Sequence, residues 1–96
     1  MEHETKQVIL RAALTTARRH GLYNMTRSQI AATAGVSPAL VSHYFADMMG
    51  LRTAVVKAAI ERVNFLDVLA EALARRDYHA MRAPAEVKRA ALNTLA

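Results

Sequence analysis

TRSQIAATAGVSPALVSHYF, residues 26–45, is the stretch that decides the fold of this chain. Thr26 and Gln29 are spaced as a capping box, in which the threonine hydroxyl accepts from the amide three residues on and the glutamine side chain reaches back to the cap. A short helix therefore opens at Thr26. Ile30, Ala31 and Ala34 follow at helical spacing, and Gly35 stands where a left-handed residue stops a helix without Cβ strain. Ser37 suits the cap of the next helix and Pro38 its first position, where a missing N–H costs nothing. The remaining residues have steric roles in two helices joined by a tight turn. Ala31 is small where the helices cross, Val36 plugs the angle between them, and Val41 anchors the second. This is the pattern of a helix-turn-helix whose free face is Pro38, Ala39, Ser42 and His43. A purely structural helix hairpin is the competing reading.

On the N-terminal side, Val8, Ile9, Ala12, Ala13 and Ala17 share one face of an amphipathic helix over Thr5 to His20, and Gly21 ends it. Arg18, Arg19 and His20 lie in its last turn, where cations complement the helix dipole or meet a phosphate. Leu22, Tyr23 and Met25 are expected to tuck the connecting loop beneath the helix pair. On the C-terminal side, Ala46-Asp47 offers a further cap, and the chain from Met48 reads as one long helix. Its face of Leu51, Ala54, Val55, Ala58, Phe65 and Leu69 closes the N-terminal core. A second stripe, Val56, Ala59, Val63, Leu66, Ala70 and Leu73, runs along a different side at alternating three- and four-residue spacing. Such a stripe resembles a coiled-coil seam and predicts a two-fold dimer; the alternative is that the C-terminal segment folds back over it. After Arg75-Arg76-Asp77, residues 78–83 form a connector. Pro84 starts a last helix, with Val87, Ala90, Ala91 and Leu95 on its apolar side and Lys88 and Arg89 in solvent.

A chain of 96 residues holds one modest core. The expected division is a helix-turn-helix bundle over 1–47 and a helical dimerisation extension over 48–96 packed on it. Only three glycines, two prolines and 5% aromatic residues favour an all-α fold, a three-helix bundle followed by the long helix and a short C-terminal helix. The formal charge of +5 and pI near 10.2 suit a polyanionic partner. With no cysteine, disulfides, thiolate catalysis and cysteine-ligated zinc are excluded. Neither a leader pattern nor an apolar run of the ~20 residues a membrane span needs is visible. A cytoplasmic protein of bacterial, plasmid or phage origin is expected. Histidines at 3, 20, 43 and 79 show no ligand spacing, and no phosphate-cradling glycine loop or carboxylate pair beside a nucleophile appears, so neither enzyme, metal nor cofactor is expected.

Residues 9–51 resemble the DNA-binding domain of the tetracycline-repressor (TetR) family. The resemblance rests on Ile9-Leu10, Ala12-Ala13, Gly21, Thr26, Ile30-Ala31, Ala34-Gly35-Val36-Ser37, Phe45 and Leu51 in matching order. It implies a homodimer that binds double-stranded DNA at a palindromic operator, usually to repress. It also places Thr26, Arg27 and Ser28 at phosphates, and Ser37, Pro38, Ala39, Ser42, His43 and Tyr44 at bases and backbone. The chain departs from the family where Ser42 replaces a tyrosine, the aromatic moving to Tyr44, and where Met48 replaces a lysine. The family's large ligand-binding domain needs roughly twice this length, so no small-molecule inducer is expected.

In a major groove about 12 Å wide, Pro38 and Ala39 permit close approach or contact with a thymine methyl, Ser42 donates or accepts, and His43 donates to guanine. No arginine supplies the bidentate contact that discriminates most strongly. Limited discrimination per half-site is therefore expected, with affinity drawn from phosphates and from dimerisation. Arg27, beside the free amides of its helix, is the foremost phosphate contact. Competing readings are a phage small-terminase-like packaging subunit, separated by its ring assembly, and a protein-binding regulatory module, separated by the absence of DNA binding.

Overall fold

The computed structural model describes residues 2–95, apart from the side chains of Glu2, His3 and Val63. Every regular element among them is helical: α1 (Glu2–His20), α2 (Arg27–Ala34), α3 (Pro38–Tyr44), α4 (Met48–Ile60), α5 (Leu66–Ala74), α6 (Tyr78–Met81) and α7 (Ala85–Asn93). A 3₁₀ turn, Val63–Phe65, precedes α5. The all-α expectation holds, and no strand occurs among the described residues.

Local chemistry sets the boundaries of the first four helices. Gly21 at φ +97° stops α1, and its amide donates to the Ala17 carbonyl at 2.8 Å. Thr26 and Gln29 form the full capping box, the Gln29 amide donating to Thr26 Oγ1 at 3.2 Å and the Thr26 amide to Gln29 Oε1 at 2.9 Å. Two amides that would otherwise be orphaned are thereby satisfied. Gly35 adopts the left-handed conformation, φ +74°, and the Val36 amide reaches back to the Ala31 carbonyl at 3.0 Å, closing α2 with a Schellman-type turn. Ser37 and Asp47 cap α3 and α4 through the amides of Leu40 and Gly50.

The long helix expected from Met48 is instead two helices. The chain leaves α4 at Glu61, runs extended through Arg62 (φ −125°, ψ 107°), and re-enters helix at Leu66. The physical reason is the pair of apolar stripes, which a straight helix cannot bury together in a chain this small. Bending lets α5 return across α4, so that Val68, Leu69, Ala70, Ala72 and Leu73 all enter the core.

That bend also overturns the seam. Val56, Ala59 and Ala70 are 0% exposed and Leu73 only 9%, while Leu66 is half-buried against the same core. The side chain of Val63 lies outside the described residues. Val56, Ala59, Ala70 and Leu73 are therefore intramolecular core, packed where α4 meets α1, α5 and α6 and where α5 meets α7, and they offer no surface to a second copy. Two smaller corrections follow from the same packing. Val8, expected on the buried face of α1, is 37% exposed, and Leu95, expected on the apolar side of α7, is 65% exposed beyond the helix end. Leu14 and Thr16 are buried in α1 instead; the Thr16 hydroxyl donates to the Ala12 carbonyl at 2.7 Å and so carries no unsatisfied group inward. The last helix does begin after Pro84, packs on α5 and buries Ala91, and the connector contains the single turn α6.

Candidate nucleic-acid interface

Successive residues of a helix are rotated by roughly 100°, so Pro38, Ala39, Ser42 and His43 fall within an arc of about 140° on α3. Leu40 and Val41 lie on the opposite side, where Val41 is 0% exposed and Leu40 packs against the core. Ser37, Pro38, Ala39 and His43 are exposed, and Ser42 and Tyr44 half-buried. The structure thus brings these sequence-predicted residues together on or beside one outward face. No bulky side chain stands on it except His43, whose ring meets Tyr44 edge-on with centroids 5.0 Å apart. Ser42 Oγ donates to the Pro38 carbonyl at 3.3 Å. Its hydrogen is engaged within the helix, which leaves its lone pairs to accept from cytosine N4 or adenine N6.

Thr26, Arg27 and Ser28 cluster at the start of α2. Because the Thr26 oxygen accepts from Gln29, its hydroxyl hydrogen is left to donate outward. Arg27 is half-buried, and its Nε is the one buried side-chain nitrogen or oxygen among the described residues that lacks a hydrogen-bond partner. An unpartnered donor on a charged group is costly, and an anion within reach of the guanidinium relieves that cost.

Arg18 is not available in the same way. Its Nε and Nη2 donate to the Asp67 carboxylate at 3.1 and 3.3 Å, and the guanidinium lies 4.5 Å from the centre of the Phe65 ring. Both partners are nearly half exposed, so the pair contributes at most about 1 kcal/mol. It nevertheless ties Arg18, in the last turn of α1, to α5.

Sequence reasoning missed a groove of about 430 Å³ beside the end of α3, lined by Lys6, Tyr44, Phe45, Asp47, Gly50 and Lys57 among others. Lys6 reaches it from α1, its Nζ 5.4 Å from the centre of the Phe45 ring. The groove brings two lysines, Lys6 of α1 and Lys57 of α4, to the space between α3 and α4. Nothing in the local sequence around residue 45 signals this, because Lys6 arrives from the other end of the fold. Tyr23 was expected only to tuck the loop. Its ring lies 4.3 Å from the Arg75 guanidinium and 6.0 Å from that of Arg52. Burial, with the Asp77 charge adding to it and Arg75 opposing, raises its phenol pKa above the ordinary value.

Residues 9–55 match a family described as bacterial regulatory proteins, tetR family. The HTH-type transcriptional regulator BetI of Serratia proteamaculans (strain 568) is 35% identical over 64 residues, covering 67% of this chain and 32% of that protein. BetI of Rhizobium meliloti (strain 1021) is 36% identical over the same length, and BetI of Agrobacterium fabrum (strain C58 / ATCC 33970) 38% identical over 60 residues, 62% of this chain and 29% of that protein. The chain spans about a third of the length of the curated relatives it matches. No solved structure matches it at comparable significance.

Proposed function

Residues 9–55 form a domain of the tetR family of bacterial regulatory proteins, and from that premise we propose that the chain is a sequence-specific DNA-binding transcriptional regulator. It acts as a repressor, in the cytoplasm, as a homodimer on a palindromic operator. The observation that carries this reading is the geometry of α2 and α3. Two capped helices are locked at Gly35, Val41 is buried, and Pro38, Ala39, Ser42 and His43 form a slim face that suits a major groove. Thr26, Arg27 and Ser28 flank it as phosphate contacts, with Lys6 and Lys57 on the groove side. BetI is by name a transcriptional regulator, which supports the same class.

A homodimer suits the limited discrimination of one half-site, since no arginine on α3 supplies a bidentate base contact and doubling the site adds to the affinity drawn from phosphates. Its contact surface lies away from Val56, Ala59, Ala70 and Leu73, which a single chain already buries. No helix among the described residues is long and apolar enough to cross a membrane. In-vitro selection from random DNA, with the solution mass measured in parallel, is the deciding experiment. Recovery of an inverted repeat bound by two copies, its half-sites about 34 Å or a multiple apart, supports the proposal. A many-membered ring without sequence preference points to packaging, and absence of DNA binding at low salt removes the reading altogether.

A further inference from the structure

Three residues at four-residue intervals, Asp67, Glu71 and Arg75, run along one side of α5 and onto its C-cap. Each engages the end of α1 or the turn that follows it. Asp67 receives two hydrogen bonds from Arg18, Glu71 Oε1 accepts from the backbone amide of Leu22 at 2.8 Å, and the Arg75 guanidinium packs on the Tyr23 ring. The central contact differs in kind from its neighbours because it is made to backbone. With Gly21 bonded to Ala17, the helix has ended and the Leu22 amide needs a new acceptor; the Leu22 side chain is 0% exposed. Glu71 supplies that acceptor from 49 residues away. Its second oxygen lies only 3.4 Å from where a Cβ on Gly21 would stand. The carboxylate therefore fixes the turn from Gly21 to Met25, whose amides at Asn24 and Met25 close on the Gly21 carbonyl and deliver the chain to the Thr26 cap.

We propose that α5 is a clamp that sets the orientation of the α2–α3 reading head, with Glu71 as its positioning residue. The proposal rests on the DNA-binding reading and adds a residue that never meets DNA. Without the carboxylate the turn loses its fixed acceptor, and binding then has to order the head that Glu71 holds in advance.

The test uses the whole chain and two substitutions that separate charge from hydrogen bond. Glu71→Asp keeps the charge and withdraws it by one methylene. Glu71→Gln removes the charge and keeps a carbonyl oxygen in place. Affinity for the selected operator is measured against salt concentration, with the folded fraction read by circular dichroism and the Leu22 amide by hydrogen exchange. Glu71→Asp is expected to weaken binding about tenfold, to speed Leu22 exchange and to leave the salt slope unchanged, because no phosphate contact is lost. Glu71→Gln is expected to bind as tightly as the parent or tighter, since losing a negative charge favours a polyanion. Simple electrostatics predicts no loss for Glu71→Asp. A folded Glu71→Asp protein that binds like the parent overturns the clamp, as does a Glu71→Gln protein that falls equally. If the parent itself binds no DNA, the functional reading fails and with it the clamp's role in orienting a reading head, whereas a parent that binds DNA beside a folded Glu71→Asp protein with unchanged Leu22 exchange overturns the clamp alone.

Discussion

At Arg27 a charged donor is buried without a partner, whereas His43 stands exposed on the slim face of α3, and different measurements reach the two side chains. Arg27→Ala is expected to weaken selected and random DNA alike and to lower the slope of log K against log salt by about one. His43→Ala is expected to leave that slope in place and relax base preference at one position of each half-site. Loss confined to the selected site in Arg27→Ala would refute this division. The two turn glycines give a second contrast. A Cβ at Gly35 meets nothing within 4 Å, so Gly35→Ala carries only the left-handed backbone cost, about 1–2 kcal/mol by urea unfolding. At Gly21 the same strain is joined by contacts of 3.2 Å to Asn24 Nδ2 and 3.4 Å to Glu71 Oε2, so Gly21→Ala is expected to cost more. Equal costs would mean that the clamp yields freely. At this scale the caps at Thr26, Ser37 and Asp47 were legible in the sequence, because donor and acceptor lie three residues apart. The Arg18–Asp67 and Leu22–Glu71 contacts span 49 residues and leave no local trace.

Among the elements, α2 and α3 follow from sequence because a capping box, a turn glycine and a Ser-Pro start each specify one boundary. The segment from Met48 onward is different. Periodicity identifies an apolar stripe but not what covers it, and the stripe over Val56 to Leu73 fits a dimer seam as well as a fold-back. Nor does the break at Arg62 announce itself, since no glycine or proline occurs between Gly50 and Pro84. What bends the chain is the core, through the burial gained when α5 crosses α4. The two assignments of the stripe differ experimentally at Val56, which is 0% exposed within one chain. Val56→Ala is expected to lower unfolding free energy by about 2 kcal/mol, the loss of buried methyl groups plus a residual cavity. That loss should not depend on protein concentration. Destabilisation seen only at low concentration would restore the stripe to a dimer interface.

In the whole molecule, residues 1–47 and 48–96 share one core. One contiguous cluster joins Ile9 of α1, Ile30 of α2, Val41 of α3 and Val55 of α4 to Leu69 of α5, Ala80 of α6 and Ala91 of α7. The reading head is thus built on the C-terminal helices as well as beside them. A chain of 96 residues has little surplus stability to divide, so neither half is expected to persist when the other opens. Urea unfolding should therefore be a single transition, with the same midpoint by far-UV circular dichroism, by tyrosine fluorescence, and by hydrogen exchange at Ile30 and Leu69. Tyr23 makes the fluorescence informative, because its ring contacts Arg75 across the boundary between the two segments. If α5 to α7 melted at lower urea while the Ile30 amide stayed protected, the N-terminal bundle would stand alone and the C-terminal helices would be an appendage. Coincident transitions would instead make DNA affinity and global stability fall together for core substitutions in either half, leaving Glu71 distinguishable by its effect on affinity at full folding.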